Sequence, residues 1–381
     1  MIGYGRQSIS GHDVRMVART LRSDFLTQGP QVERFEASLA ERVNAKYCVA
    51  VSSATAGLHI AVALLGLGSG DEGITSPVTF VATPNSIAYA GAQPRFADVD
   101  ANSVNLSVEA VRAAISPRTK LLIPVHFTGR AADMPGFAEL ASRHDLAVIE
   151  DAAHAVGSRY WTGEPVGSCT YSDMTVFSFH PVKTITTAEG GAITTNDREL
   201  YERLKMLRSH GITRQPEYLK SEAKPWYYEM HELGFNYRLS DVQAALGVSQ
   251  LGRLDKFIKR RREIVSLYRA ELDGATNVQL LPADDDDLSC YHLFVIRIPF
   301  YRLSLDRETF MGRLRDEGIG TQVHYIPVHT QPYYKERYGF TEGQFPEAER
   351  YYREAVSIPL HPSLSNRQVR RISATIRRVL E

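Results

Sequence analysis

The sequence predicts an α/β protein with a mostly parallel sheet, followed by a smaller C-terminal α+β domain. From about residue 46, short β-branched runs alternate with helical patterns, which is typical of a parallel sheet with helices on both faces. Beyond Gly274 the alternation gives way to two strand patterns in succession. Because 381 residues are too many for one simple core, we place two domains at residues 1–250 and 251–381.

The elements follow from periodicity and from turn residues. The strand candidates of the first domain are Tyr47–Val51, Ile74–Phe80, Pro94–Asp98, Lys120–Val125 and Leu146–Glu150. The helix candidates between them are Thr55–Leu67, Ala82–Ala90, Val108–Ala114 and Pro135–His144. Ligands of parallel sheets bind at the carboxyl ends of the strands, so the polar residues at these ends are the first candidates for a functional site.

The C-terminal third follows a different pattern. A single long helix is expected from Ser240 to Leu272, because apolar residues recur there at helical spacing. After Gly274 we expect strands at Val278–Leu281 and Tyr291–Ile298, then a helix, a strand and two terminal helices. The acidic run from Asp284 to Asp287 is interpreted as a solvated turn.

Composition excludes several classes of protein. Basic and acidic residues balance at 44 each, so no overall field favours nucleic acid or an anionic membrane, and the basic run Lys259–Arg262 is interpreted as a solvated helix face. The three cysteines lack C-x-x-C spacing, which argues against disulfides, structural zinc and iron–sulfur clusters. No signal peptide or membrane span is evident. We therefore expect a soluble cytoplasmic protein without a metal site.

One turn has the properties of a phosphate site. Ser52-Ser53-Ala54-Thr55-Ala56-Gly57 follows a strand and opens a helix, so backbone N–H groups converge there on an anion. Thr55 is also a good N-cap, and plain capping remains the alternative. The glycine-rich run Gly68–Gly73 is not a dinucleotide fingerprint, because it ends a helix and precedes a strand.

Lys183 carries the strongest chemical signal. Ser178 precedes it by five positions on a turn that leaves a strand, which suits a phosphate and a carbonyl carbon together, and pyridoxal phosphate presents both groups. Asp151, at another strand end, could keep the pyridine nitrogen protonated, and His154 could reach the cofactor or the aspartate. For this pair, a helix cap with a nearby surface histidine is the alternative.

Two aromatic residues are ambiguous from their positions. Phe80 could stack on a flat cofactor, but an aromatic residue at a strand end often belongs to the core. His180 could line the site, contact the substrate or simply pack.

These motifs resemble the DegT/StrS-type nucleotide-sugar aminotransferases, and the resemblance runs almost end to end. It covers Leu26–Pro30, Ser53–Thr55, Thr79–Thr83, Glu150–His154, Ser178–Lys183, Glu189–Gly191, Arg208–Gly211, Gly234–Ser240 and His324–His329. It implies the aspartate-aminotransferase (type I) fold, with a sheet of the seven-stranded type. It also implies a pyridoxal 5'-phosphate cofactor, L-glutamate as amino donor and a homodimer with shared active sites.

Residue by residue, the resemblance implies Lys183 as the Schiff-base lysine and Asp151 as the partner of the pyridine nitrogen. Phe80 matches the stacking aromatic residue, and His154 a side chain beside the phenolic oxygen. The remaining cofactor residues it implies are Ala54, Thr55 and Ser178 at the phosphate, with Asn236 reaching that phosphate from the other subunit. Four residues in matching segments are expected to border the sugar-nucleotide cleft, or alternatively to support the dimer contact: Thr27, Arg238, His324 and Tyr325. His180 is a further candidate for substrate contact.

The run Ser178–Gly191 is most similar to the members that act in pseudaminic acid synthesis, which implies a UDP-linked 4-keto-6-deoxy-N-acetyl-altrosamine precursor as substrate. Two departures concern the same site, because His180 stands where many members have tyrosine and Ala54 replaces a common glycine. Another UDP- or TDP-4-keto-6-deoxy sugar, and a non-catalytic regulatory protein that binds the cofactor, remain alternatives. A dehydratase is disfavoured, because such relatives replace the lysine with histidine.

Overall fold

A computed structural model of the chain describes residues 1–284 and 286–381. Asp285, which belongs to the predicted acidic turn, lies outside the described residues. Within the described part of the chain, no helix has the length and apolar character needed to cross a bilayer.

The larger sheet confirms the predicted fold class. Its strands are β1 (Tyr47–Val51), β2 (Glu72–Thr75), β3 (Gln93–Phe96), β4 (Thr119–Ile123), β5 (Ala147–Asp151), β6 (Met174–Ser178) and β7 (Gly191–Thr195). They lie in the order β1-β7-β6-β5-β4-β2-β3, and only β7 runs antiparallel to its neighbours. Because β1 to β6 all point the same way, their carboxyl ends meet at one edge of the sheet.

Helices cover this sheet, and several of them begin at a side-chain N-cap. They are α1 (Gly11–Thr20), α2 (Pro30–Val43), α3 (Ala54–Leu64), α4 (Ala82–Tyr89), α5 (Val108–Ala114), α6 (Met134–His144), α7 (Arg198–Arg208), α8 (Asp241–Leu251) and α9 (Leu254–Leu272). A short ribbon of β8 (Ile212–Thr213) and β9 (Glu229–Met230) lies between α7 and α8. Ser240 caps α8 with a capping box that includes Gln243.

Two expectations for this part were wrong. The strand predicted at Ile74–Phe80 ends at Thr75, and Pro77 follows, which has no N–H for a sheet ladder. The single helix predicted from Ser240 to Leu272 is two helices, because the chain leaves helical geometry at Arg253, next to the poor helix former Gly252.

The C-terminal part contains a three-stranded antiparallel sheet of β10 (Gln279–Leu280), β11 (Phe294–Arg297) and β12 (Ala355–Ile358). Its helices are α10 (Arg307–Asp316), α11 (Pro332–Tyr338), α12 (Pro346–Glu354) and α13 (Asn366–Leu380). The predicted order was wrong, since three helices precede β12 and only α13 follows it. Pro332 and Pro346 each begin a short helix, as proline does at the first helical position.

Helix α9 connects the two parts. Its first turns pack into the core beneath the larger sheet through Leu254, Phe257 and Ile258. Its later residues Ile264 and Val265 belong to the core of the smaller sheet. The C-terminal part is therefore held against the carboxyl edge of the larger sheet, while the domain boundary at residue 250 stays a prediction.

Candidate active site

A cavity of about 280 Å³ lies at the carboxyl edge of the larger sheet, against the C-terminal part. Most of the predicted site residues line it, namely Ala54, Thr55, Phe80, Asp151, His154, Ser178, His180, Lys183, His324 and Tyr325. We call the side formed by Ala54, Asp151, Ser178 and Lys183 the sheet wall. The side formed by His292, His324 and Tyr325 is the C-terminal wall.

Lys183 follows β6 on a loop that is pinned by backbone hydrogen bonds. Its N–H donates to His180 O (2.9 Å), and Thr187 N–H donates to Phe179 O (3.0 Å). Burial lowers the pKa of Lys183 to about 8, and the negative charge of Asp151 opposes this shift. Part of the amine is therefore uncharged near neutral pH, which is the form that attacks a carbonyl carbon.

Asp151 ends β5, and its carboxylate is fixed in orientation by two donors. Thr83 Oγ1 donates to Oδ2 (2.6 Å), and Ala153 N–H donates to Oδ1 (3.0 Å). Thr79 Oγ1 lies 2.8 Å from Thr83 Oγ1 and supports it. The charge opposite Lys183 is thus held by α4 as well as by β5.

The predicted phosphate turn opens α3, but its cap differs from the prediction. Ser53 is the N-cap, since its side chain accepts from Ala56 N–H (3.1 Å), so Thr55 lies in the first turn. The first backbone bond of the helix joins Gly57 N–H to Ser53 O, which leaves the N–H groups of Ala54 and Thr55 ahead of the helical ladder. Such N–H groups bind anions.

Gly191 explains why the turn can sit so close to β7. A Cβ at this position would lie 2.6 Å from Ala54 N, which is closer than any real side chain approaches. Only glycine allows the backbone of β7 to pass the turn, and this brings Ser178, its partner in β6, to the same place.

The C-terminal wall contacts His154, which lies three positions after Asp151 on the sheet side of the cavity. Tyr325 Oη lies 3.0 Å from His154 Nε2, and the His292 ring packs on the His154 ring at 4.5 Å between centroids. Burial lowers the pKa of all three histidines, that of His324 to about 4. Burial also raises the pKa of Tyr325. This wall therefore presents neutral imidazoles and a protonated phenol.

The mouth of the cavity holds the remaining predicted side chains. Phe80 lies in the loop after β2 and is 57% exposed, so its ring is available on the cavity side rather than packed in the core. His180 Nε2 lies 4.0 Å from Glu189 Oε1, and both side chains are largely exposed. His180 is thus a rim residue.

Glu150 lies directly before Asp151 but points away from the cavity, as alternation along a strand requires. Its buried carboxylate accepts from His126 Nε2 (2.6 Å), Tyr160 Oη (2.8 Å), Ser172 Oγ (2.5 Å) and Thr175 Oγ1 (2.9 Å). His126 Nδ1 accepts from Ala132 N–H (3.0 Å), so the proton of this ring is on Nε2. Glu150 thereby ties the segment after β4 to β5 behind the site.

Three predicted residues lie elsewhere in the same chain. Thr27 pairs with Ser240, and Arg238 pairs with Val51 at the end of β1. Arg238 lines a separate surface cavity with Gln28, and Asn236 pairs with Ser209. The roles of these three, including contact with the cavity of another subunit, stay predictions.

Sequence reasoning missed two residues of the site. Thr83 belongs to the motif Thr79–Thr83, but its contact with Asp151 joins residues 68 positions apart, and no local sequence pattern indicates it. His292 was hidden inside the predicted strand Tyr291–Ile298; β11 begins only at Phe294, so His292 lies in the loop before it. A polar residue in an otherwise apolar run was the signal available.

The residues fit pyridoxal phosphate. A carboxylate for a ring nitrogen, an amine of lowered pKa, an exposed aromatic ring and an N–H turn for a phosphate surround one cavity. In addition, His154 Nδ1 is buried and has no hydrogen-bond partner among the residues that the structure describes. A buried polar atom of this kind indicates a missing partner.

The fold and the site define a pyridoxal-phosphate-dependent aminotransferase of fold type I. The chain belongs to the DegT/DnrJ/EryC1/StrS aminotransferase family, which it matches over residues 7–377. This confirms the resemblance and the cofactor.

Individual relatives and solved structures support the same family. The chain is 40% identical over 379 residues to the spore coat polysaccharide biosynthesis protein SpsC of Bacillus subtilis, covering 99% of this chain and 97% of SpsC. It is similar to Helicobacter pylori PseC, an aminotransferase involved in the biosynthesis of pseudoaminic acid, with 30% identity, TM-score 0.92 and coverage of 100% and 99%. The PLP-form of Streptococcus pneumoniae Spr1654, a putative sugar aminotransferase, gives 29% identity, TM-score 0.91 and coverage of 99% and 98%.

Proposed function

We propose that this protein transfers the amino group of L-glutamate to the C4 keto group of a nucleotide-linked 4-keto-6-deoxy sugar. The proposed substrate is the UDP-linked 4-keto-6-deoxy-N-acetyl-altrosamine precursor, UDP-2-acetamido-2,6-dideoxy-β-L-arabino-hexos-4-ulose. The product is the corresponding 4-amino sugar, an intermediate of pseudaminic acid synthesis. The observation that carries the proposal is the pairing of Lys183 and Asp151 in one cavity with a neutral polar wall opposite.

Similarity to PseC over the whole chain supports the sugar class. The C-terminal wall supports it independently, because neutral imidazoles and a phenol hydrogen-bond the hydroxyl, keto and amide groups of a sugar without a charged partner. SpsC is described as a spore coat polysaccharide biosynthesis protein, a description that does not specify pseudaminic acid. Another UDP- or TDP-4-keto-6-deoxy sugar is therefore the second candidate.

The cofactor, when bound, carries the amino group and takes up the electron pair released at the donor carbon. Asp151 holds a proton on the ring nitrogen, and Thr83 and Ala153 keep the carboxylate oriented for this. The N–H groups of Ala54 and Thr55, with Ser178, would hold the phosphate. Phe80 would stack on the flat ring.

Lys183 moves the proton. Its pKa of about 8 lets the amine accept a proton from the donor carbon near neutral pH and return it later to the acceptor carbon. The charge of Asp151 opposes the lowering of the Lys183 pKa. Asp151 therefore affects both the charge of the ring nitrogen and the basicity of the Lys183 amine. His154 donates toward the phenolic oxygen.

The active unit in this proposal is a homodimer in which Asn236 completes the site of the other subunit. Asn236 and Arg238 do not line the cavity of their own chain. Shortly before them in the sequence, the apolar residues Trp226, Met230 and Leu233 are 72%, 59% and 80% exposed. Contiguous exposed apolar side chains are typical of a protein interface, and these three are candidates for one.

Mixed dimers test the shared site. Lys183→Ala and Asn236→Ala subunits, inactive alone, are co-expressed with different tags and purified as the mixed species. If Asn236 acts across the interface, one site of the mixed dimer has both residues intact and activity returns. Mixed dimers as inactive as their parents would contradict the shared site.

The substrate is tested by incubating the enzyme with glutamate and a panel of UDP- and TDP-4-keto-6-deoxy sugars, with the amino products identified by NMR. The proposed sugar should give the highest kcat/KM and a 4-amino product. A half-reaction with glutamate alone separates an enzyme from a non-catalytic binding protein. Half-reaction activity combined with preference for another sugar would keep the aminotransferase and reject the substrate.

A further inference from the structure

The bond between His154 and Tyr325 joins the two walls of the cavity. Tyr325 Oη and His154 Nε2 are 3.0 Å apart. Among the described residues, the Tyr325 hydroxyl has no other hydrogen-bond partner, and His154 Nδ1 is buried without one. The His154 side chain is buried, and Tyr325 is partly buried where it lines the cavity.

Either group could donate in this contact, because a phenol and a neutral imidazole each carry one proton. Each direction leaves one donor and one acceptor of the pair without a partner in the chain, so the intrinsic strength of the groups decides. A phenol is a stronger donor than acceptor, and the unprotonated nitrogen of an imidazole is a strong acceptor. The arrangement in which Tyr325 O–H donates to His154 Nε2 is therefore favoured.

We propose that Tyr325 is a positioning residue that donates its O–H to His154 Nε2 and thereby places the single ring proton of His154 on Nδ1. Both residues belong to the chain itself, and the position of the ring proton does not depend on which sugar is the substrate.

The surroundings of the pair keep both groups in the required protonation state. Burial lowers the pKa of His154, with Lys183 and His324 adding to the effect, so the imidazole carries one proton. Burial raises the pKa of Tyr325, and the charge of Asp151 acts in the same direction, so the phenol keeps its proton.

His292 closes the remaining side of the imidazole. Its ring packs on His154 at 4.5 Å, and burial lowers its own pKa, with His154, Lys183, Arg261 and His324 contributing. A second positive charge next to His154 is therefore disfavoured.

The arrangement gives the C-terminal wall a specific influence on the cofactor side. An Nδ1–H is a donor, and the phenolic oxygen implied beside His154 is an acceptor. With the opposite tautomer, the unprotonated Nδ1 would face that oxygen and repel it. Tyr325 thus determines whether His154 attracts or repels the group that it faces.

The proposal is tested by measuring which ring nitrogen of His154 carries the proton. Protein labelled with ¹⁵N in its histidine side chains is studied by long-range ¹H–¹⁵N NMR, both cofactor-free and loaded, and His154 is assigned from the signals lost in His154→Gln. The expected result is a single neutral form with the proton on Nδ1 in both samples. Tyr325→Phe keeps the ring but removes the donor, and it should give a mixture of the two neutral tautomers.

Tyr4→Phe is the matched control, because Tyr4 lines the same cavity but has no hydrogen bond to His154. It should leave the His154 nitrogen signals as in the unchanged protein. A proton on Nε2 of His154 in the unchanged protein would overturn the inference, even if Tyr325→Phe failed to fold. Identical signals in folded Tyr325→Phe and in the unchanged protein would also overturn it.

Discussion

The two walls of the cavity differ in charge and in origin. The sheet wall carries the charged pair Asp151 and Lys183; Asp151 ends β5, and Lys183 lies on the loop that follows β6. The C-terminal wall carries His292, His324 and Tyr325, whose pKa shifts all favour the neutral form. In the proposed function, the charged groups act on the cofactor and the neutral groups face the sugar.

The difference follows from how each wall is built. Parallel strands bring their carboxyl ends together, so charges can be placed close to one another by short motifs. The C-terminal wall comes from loops more than 100 positions later, and its groups are neutral because packing against the sheet removes them from water. Substitutions in the two walls should therefore have different effects.

The largest effect is expected for Lys183→Ala in the sheet wall. Without the amine, the proposed carrier of the proton is lost, and the half-reaction with glutamate should slow by about 10²- to 10⁴-fold. The measurement is the loss of the cofactor's absorption band after glutamate is added. Lys256→Ala, an exposed change on α9, is the control and should be neutral. An unchanged rate in Lys183→Ala would refute the assignment of the lysine.

Asp151→Asn should have the next largest effect. It keeps the size of the side chain but removes the charge that raises the pKa of Lys183, so this pKa should fall below about 8. In cofactor-free protein, the rate at which an amine reagent modifies Lys183 rises with pH as the amine loses its proton. The midpoint of that rise should shift to lower pH in the variant.

The exposed Asp255→Asn on α9 serves as the comparison for Asp151→Asn and should leave the midpoint in place. Transamination by Asp151→Asn should also be severely reduced, because the ring nitrogen loses its charged partner. If the midpoint of Lys183 modification moved to higher pH in Asp151→Asn, the charge of Asp151 would not be raising the pKa of Lys183.

Gly129→Ala tests the close contact of Gly129 with the backbone of His154 and His292, where the C-terminal wall approaches the sheet side of the cavity. Gly129 has φ 100°, and a Cβ there would lie 3.0 Å from both His154 O and His292 N and 2.9 Å from Cys290 Sγ. The methyl group should push the walls apart and destabilise the fold by about 1–3 kcal/mol. Loaded and cofactor-free protein are compared by thermal unfolding.

Gly66→Ala provides the matched control for this contact. Gly66 also has a positive φ (67°), but nothing lies within 4 Å of its added Cβ, so it reproduces the backbone strain without the contact. Gly129→Ala should lower the unfolding midpoint more than Gly66→Ala does, and it alone should weaken cofactor binding. Equal effects of the two changes would mean that the walls do not depend on this contact.

Thr83→Val should have the smallest effect. It removes one donor to Asp151 and keeps the shape of the side chain, which costs about 1 kcal/mol for a single hydrogen bond. Cofactor affinity, measured by equilibrium titration, should fall several-fold. Thr195→Val, which removes a buried hydroxyl bond to Asp173 O far from the cavity, should leave that affinity unchanged.

The sequence by itself determined the sheet and the charged half of the site. Alternating strand and helix patterns predicted a parallel sheet, and parallel geometry then required the residues after β1, β5 and β6 to meet. Asp151, Ser178 and Lys183 could therefore be named from short motifs. Local capping was less certain, since Thr55 was the expected cap of α3 and Ser53 has that role in the structure.

Only the tertiary structure decided the rest of the site. It brought Thr83 to Asp151, His292 to His154 and Tyr325 to His154, contacts between residues far apart in the chain. It also made the C-terminal wall neutral, because an imidazole has an ordinary pKa near 6.5 until burial removes its water. Periodicity describes a residue's neighbours along the chain, whereas protonation depends on its neighbours in space.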